Sequence, residues 1–211
     1  MQDQPAHKRD IPTLVKDPSL VEKRRRQIVD AAVRLFVDKG FHKTTTREIA
    51  RVSGLSIGSL YEYIQSKEDV LYLVCETIHA AIRERLEKNI HTQSNGRTQL
   101  EQAINEYFQV CDEMADMILL IYQETNSLPP DSLRYVLQDE ERITHIFRDI
   151  LEQGVETGAI KIRDGKTLTI IAHTIAVLGH MWTFRRWSLH RNFTLGEYTK
   201  TQTEMILNFI D

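Results

Sequence analysis

Cysteine is scarce and poorly placed for chemistry: Cys75 and Cys111 are the only two in 211 residues, far apart and outside any C-x-x-C spacing. That excludes a disulfide framework and a zinc ribbon and points to a reducing cytoplasm. Proline is sparse too, five in all, and Pro5, Pro12 and Pro18 crowd the first 18 residues. With mixed charges and no periodicity, residues 1–18 read as a mobile arm. No uninterrupted apolar run reaches about 18 residues, and no apolar core follows the charged N-terminus. Neither a spanning helix nor a signal peptide is expected, and no membrane partner. Strand-period alternation is missing throughout, as are a nucleophile elbow, a phosphate loop and an H-E-x-x-H pair, so no catalytic residue and no cofactor are expected.

What is present is an ordinary globular composition, 41% hydrophobic and 27% charged, with the charge unevenly spread. Residues 1–67 hold 13 Lys and Arg against 8 Asp and Glu, whereas residues 68–211 hold 14 against 22. The basic end suits a polyanion. Helix signals follow one another along the chain. Ser19 with Glu22 reads as a capping box that opens a helix over about 20–39, with Ile28, Ala31, Ala32, Leu35 and Phe36 at helical spacing and Lys39-Gly40 as the stop. Thr45 with Glu48 opens a second, Ser56 caps a third, and Ser66 with Asp69 opens a long fourth over about 67–89. Later starts are Thr98 with Glu101, Pro130-Asp131, Asp164 beside Gly165, and Thr194 with Glu197, while Asn95-Gly96, Gly154 and Gly158 punctuate. The expected fold is all-α with about nine helices, in three parts: the arm over 1–18, a first domain over 19–66 and a second over 67–211.

Two short helices joined by a tight glycine turn, from Thr45 to Tyr63, describe a helix-turn-helix, whose second helix enters the DNA major groove. Ala50 allows close crossing, Gly54 supplies the turn's positive φ, and Ile49, Leu55 and Leu60 anchor both helices on the first. Gly58 and Ser59 keep the leading face thin. This segment resembles the N-terminal domain of the tetracycline-repressor (TetR) family. The residues that carry the resemblance are Ala31-Ala32, Leu35-Phe36, Lys39-Gly40-Phe41, Thr44-Thr45-Thr46, Ile49-Ala50, Ser53-Gly54-Leu55-Ser56, Gly58-Ser59-Leu60-Tyr61-Glu62-Tyr63 and Ser66-Lys67-Glu68. Ile64 stands where the family usually has Phe and is expected to fill the same core position.

The resemblance implies a cytoplasmic homodimer that binds double-stranded operator DNA through helices 1–3 and senses a ligand in the remaining helices. Thr45, Thr46 and Lys67, at helix N-termini, suit phosphates. Arg47 suits a guanine edge, Ile57 a thymine methyl, and Ser59 a base or phosphate. Tyr61 and Tyr63 are implied phosphate or sugar contacts, and Ser56 and Gly58 complete the DNA-facing set. Arg24, Arg25 and Arg26 read as a solvated face.

In the second domain, His173 and His180 stand seven apart on one helix face. No acidic or cysteine partner is spaced to close a metal site, so they read as packing or surface residues. An apolar pocket between helices is the stronger expectation. Its candidate lining is Tyr107, Phe108, Met114, Met117, Tyr122, Phe147, Leu178, Met181 and Trp182, with Arg185 and Arg186 for a charged end. The stretch Gly179–Arg191 and Phe193–Tyr198 resembles, loosely, the C-terminal domains of TetR-family regulators of fatty-acid degradation, which implies a long-chain acyl-CoA effector whose adenine stacks on Trp182 or Trp187. A hydrophobic drug-like effector is the alternative, and a helical interaction module without DNA binding is the alternative from another class. Helices near 165–190 and 194–210 are expected to dimerise through Ile170, Ala172, Ala176, Val177, Leu195, Tyr198, Met205, Ile206 and Phe209.

Overall fold

The computed structural model describes residues 10–89, 96–162 and 164–210, and among them there is no strand. Ten α-helices follow in order: α1 (Pro18–Lys39), α2 (Thr46–Val52), α3 (Ile57–Tyr61), α4 (Lys67–Asn89), α5 (Gly96–Glu113), α6 (Ala115–Glu124), α7 (Pro130–Glu156), α8 (Gly165–Phe184), α9 (Arg186–Asn192) and α10 (Leu195–Ile210), with a single 3-10 turn over Thr125–Ser127. One more helix is present than the nine expected. The surplus arises where the helix expected over about 165–190 breaks at Arg185, with neither glycine nor proline there to announce it. In a straight helix Trp182 and His190 would stand about 12 Å apart along the axis. Their rings instead stack with centroids 4.2 Å apart, so α9 folds back on the end of α8.

Local capping explains most starts. Asp164 caps α8 through the amides of Lys166 and Thr167, and Thr194 with Glu197 closes a reciprocal box before α10. Two starts differ from expectation. At α1 the cap is Asp17, whose carboxylate accepts the Ser19 and Leu20 amides, with Pro18 in the first turn. A fixed proline φ and a carboxylate at the positive end of the dipole supply what a Ser19–Glu22 box would have. At the other, α5 begins at Gly96 rather than Thr98.

The chain divides into two compact units, Met1–Ile78 with Leu119–Gln138, and His79–Ile118 with Asp139–Asp211, so the division falls inside α4, α6 and α7. In the first unit, α1 buries Ile28, Ala32 and Phe36, and Phe41, Ile49, Leu60, Ile64, Leu71 and Val74 complete the core. Ile64 has no solvent exposure and does fill the position expected of it. The arm corrects one expectation. Ile11 is buried, Arg25 donates to its carbonyl, and Thr13 donates to the Glu62 carbonyl, so residues 10–17 are tied to the domain, while 1–9 lie outside the described residues. An apolar side chain and two hydrogen bonds offset the ordering entropy that a polar, proline-rich arm could not.

In the second unit, α5 packs against both α8 and α10. Glycines set the closest approaches: a Cβ at Gly179 would stand 2.5 Å from Tyr107 Cε1, and one at Gly96 would stand 2.5 Å from the Gly154 backbone. The helix α8 is long and apolar enough, by length and composition, to cross a membrane, although Thr and His interrupt its apolar run and hid it from the sequence expectation. Half of its apolar window is buried within the protein, including Leu168, Ile171, Ala172 and Ile175. That burial is what the core helix of a bundle requires.

Candidate functional site

The helix-turn-helix is assembled from short-range bonds. Thr45 accepts the Glu48 amide while the Glu48 carboxylate accepts the Thr45 amide and hydroxyl, closing the capping box of α2. Lys39, at the end of α1, donates to the same carboxylate. The lysine first, then the Thr45 hydroxyl and amide, draw the Glu48 carboxyl down to about 2. Gly54 turns the chain at φ 71°, and Ser56 caps α3 by accepting the Ser59 amide. The Thr46 and Tyr61 hydroxyls share a hydrogen bond of 3.0 Å that ties α3 to α2. Thr45, Arg47, Ser56, Ile57, Gly58 and Tyr61 are exposed, and Thr46 and Ser59 half-buried. At Gly58 a Cβ would meet nothing nearer than the Ser56 hydroxyl at 3.8 Å, and its φ is not positive. The protein's own packing therefore gives no reason for glycine there.

Two residues of the expected DNA-facing set have other employment. Tyr63 is only 5% exposed and belongs to the core of its unit. Lys67 donates to the carbonyls of Phe41, His42 and Thr44, at 2.7, 3.4 and 3.1 Å, and sits 4.3 Å from the Phe41 ring centre. An ammonium has three protons to give, and all three are spent on the loop between α1 and α2. The helix dipole at the start of α4 does favour an anion, but the lysine beside it serves as a loop pin.

The candidate ligand residues separate in the same way. Tyr107, Phe108 and Phe147 are fully buried, the Tyr107 and Phe147 rings meeting edge-on at 5.3 Å. Met114, Met117, Leu178 and Met181 are half-buried in the same unit, whereas Tyr122 is 52% exposed and belongs to the first unit. Trp182 donates to Asp112 at 2.6 Å, stacks on His190 and lies 5.0 Å from the Tyr198 ring. Its indole is thus committed within the fold and is not a free platform for adenine. Arg186 pairs with Asp116 at 2.7 Å, and Arg185 lies over the Trp187 ring at 4.8 Å, with Trp187 itself 61% exposed. Of the expected dimer residues, Ile170, Val177, Met205 and Phe209 are exposed on α8 and α10, while Ala172, Ala176, Tyr198 and Ile206 fill the unit's own core.

A polar cluster in the second unit was not anticipated. His79 of α4 faces Asp139 through Nδ1 at 3.2 Å and Glu140 through Nε2 at 3.0 Å. Arg83 and Arg142 pair with Asp139 at 2.7 and 3.0 Å. His180 of α8 meets the Tyr107 hydroxyl at 2.8 Å and stands 3.8 Å from Glu140 Oε1. Burial alone would push His79 down, but hydrogen bonds to Asp139 and Glu140 and their charges hold it above the usual histidine value. Burial opposes ionisation of Asp139 and Glu140, but His79, joined at Asp139 by Arg83, overrides it and holds both below their ordinary values. His180 is pushed below the usual histidine value by burial.

Two family profiles match this chain: that of bacterial regulatory proteins of the tetR family over residues 28–72, and that of the tetracycline-repressor-like C-terminal domain over residues 93–187. The chain belongs to the TetR family. As a TetR-family member it is a DNA-binding transcriptional regulator. It is 29% identical over 190 residues to the transcriptional regulator HbdR of Aromatoleum sp. (strain CIB), covering 90% of this chain and 82% of HbdR. A tetR-family regulatory protein from Rhodococcus RHA1 superposes with a TM-score of 0.79 at 23% identity, covering 89% of this chain and 97% of that one. FadR from Bacillus subtilis, solved with stearoyl-CoA, superposes with a TM-score of 0.72 at 23% identity, covering 88% of this chain and 99% of that one.

Of the TetR features expected from sequence, the capped helix-turn-helix and its exposed leading residues are in place. The polar cluster carried one signal, the two charges Asp139-Glu140 at the middle of a helix whose neighbours Val136 and Ile143 are buried. Their partners lie 60 and 61 residues away, beyond any local spacing rule.

Proposed function

We propose that this TetR-family protein binds an inverted-repeat operator as a homodimer and is released from it by an acyl-CoA thioester, acting by binding and not by catalysis in the bacterial cytoplasm. The observation that carries the DNA half is Gly58. A glycine in a helix costs about 1 kcal/mol against alanine, and neither backbone geometry nor neighbouring atoms ask for one at this position. The requirement then comes from outside, from a surface that approaches α3 to within a methyl group, as a base edge does. Arg47 reaches that surface from α2. Two copies related by a two-fold axis present two such helices, which sets their half-sites about 34–36 Å apart or a multiple of it.

The effector half is supported by the aromatic interior around Tyr107, Phe108 and Phe147, by the exposed arginine and tryptophan at Arg185 and Trp187, and by the stearoyl-CoA bound to FadR. Arg185 and Trp187 suit a nucleotide, one by charge and one by stacking. Titration of labelled promoter DNA from the protein's own locus tests the whole reading. Wild type should protect a dyad-symmetric site and release it when an acyl-CoA is added. Gly58→Ala should be more stable than wild type yet bind the operator more weakly, and Arg47→Ala should lose about 1–3 kcal/mol on operator with little change on random DNA. Stronger operator binding by Gly58→Ala, or operator and random DNA affected alike by Arg47→Ala, overturns the DNA half. An operator complex indifferent to every acyl-CoA overturns the effector half.

A further inference from the structure

The interior that would receive the effector is not uniformly apolar. His79, Asp139 and His180 are all but sealed from solvent, with side-chain exposures of 2%, 1% and 5%, yet Glu140, bonded to the first and flanking the last, keeps 34% of its side chain accessible. Its two oxygens differ. Oε2 accepts from His79, whereas Oε1 comes no closer to a partner among the described residues than 3.8 Å, at His180 Nε2. That ring nitrogen already bonds the Tyr107 hydroxyl, which also donates toward the Ala176 carbonyl at 3.2 Å. Around these atoms stand Phe147 against Tyr107 and Phe184 against His180. A carboxylate oxygen that has no protein donor within hydrogen-bond reach but stays open to water becomes costly only when a ligand covers it without supplying a donor of its own.

The charge of the cluster narrows what fits. Both ring nitrogens of His79 face carboxylate oxygens, and a neutral imidazole has only one N–H to give. His79 is therefore an imidazolium. Arg83 and Arg142 bring further positive charge to Asp139 beside it. A further cation at Glu140 would meet the charge of His79 on the same carboxylate, whereas a neutral hydroxyl supplies the missing donor without adding charge.

We propose that Glu140, with His180 and Tyr107 beside it, selects an acyl-CoA whose buried end carries a hydroxyl group, Glu140 Oε1 accepting its proton in a hydrogen bond. This rests on the acyl-CoA reading and sharpens it: the effector is a hydroxylated acyl group rather than a plain hydrocarbon chain. A site built to bond a hydroxyl discriminates against the analogue that lacks it, because the plain chain displaces the carboxylate's water and offers no donor in its place.

The test is calorimetric titration of the full-length protein with thioesters from butanoyl- to dodecanoyl-CoA, each beside its ω-hydroxy and ω-amino counterpart. At the best-fitting length the ω-hydroxy thioester should bind at least about tenfold more tightly than the plain one, the lower end expected for a hydrogen bond to a charged group. Glu140→Leu should abolish that advantage, and Glu140→Gln should reduce it. An unchanged helical circular-dichroism spectrum and a cooperative thermal transition in both variants show that the bundle still folds. Equal affinity for plain and ω-hydroxy thioesters at every length overturns the proposal and leaves the acyl-CoA reading standing. A preference for the ω-amino thioester overturns the charge argument and the proposal with it. Binding of no thioester of any kind overturns both readings.

Discussion

Tyr61 keeps 49% of its surface in solvent and bonds Thr46, whereas Tyr63, two residues on, keeps 5%. Sequence chemistry treats them alike, since either phenol can reach a phosphate, and only packing separates them. Tyr63→Ala should therefore cost about 3 kcal/mol or more in chemical denaturation, in line with other large aromatic truncations. Tyr61→Ala should leave the denaturation midpoint nearly unchanged and weaken DNA binding instead. Lys67 separates two roles in the same way. A lysine that neutralises one phosphate contributes about 0.9 to the slope of log affinity against log salt. A lysine whose protons are held by the Phe41, His42 and Thr44 carbonyls contributes nothing to that slope. Lys67→Ala should lower stability by about 1–3 kcal/mol and weaken operator binding with its salt slope intact. A slope flattened by about one unit would return Lys67 to the phosphate-binding set.

Elements were legible in proportion to how local their causes are. The Thr45–Glu48 box, the Gly54 turn, the Ser56 cap and the Asp164 cap each need residues within four positions, and each could be read from the chain. The break at Arg185 could not, because it is set by Trp182 meeting His190, Tyr198 and Asp112. The His79 cluster joins α4, α5, α7 and α8, and its one local signal, Asp139-Glu140 in mid-helix, says nothing of the partners they meet. Gly179 belongs with these, since nothing around it in sequence distinguishes it from a punctuation glycine. It lies inside α8, where alanine would favour the helix by about 1 kcal/mol. Yet the added methyl would collide with the buried Tyr107 ring at 2.5 Å and the Cys111 sulfur at 3.0 Å. Gly179→Ala is expected to destabilise by about 1–3 kcal/mol, as overpacking does, and a thermal midpoint at or above the wild-type value would show that α5 and α8 are less tightly apposed.

At the scale of the whole molecule, Ile170, Val177, Met205 and Phe209 are exposed on α8 and α10, and in the proposed homodimer these are the side chains a second copy is expected to cover. Val177→Glu with Phe209→Glu should yield a monomer in sedimentation and lose cooperative operator binding, since charge buried in such an interface is left without a partner. The His79 cluster also reaches the scale of the folded state. Its imidazolium is stabilised by Asp139 and Glu140, with Arg83, Arg142, His180 and Tyr107 as the other groups facing it. A histidine held above its ordinary value of 6.5 stabilises the fold fully below that pH, and the contribution fades as pH rises through the raised value. Asp139 and Glu140, held low, act in the opposite sense, their contribution fading as pH falls below the ordinary carboxylate values of 3.8 and 4.5. Denaturation midpoints should therefore decline on both sides of a maximum, and His79→Gln should flatten the alkaline limb. Above pH 6.5 the unfolded chain has mostly surrendered a proton that the folded chain retains. Refolding must then draw that proton from the buffer, so its heat should differ between phosphate and Tris by a fraction of their ionisation enthalpies, and that difference should vanish in His79→Gln.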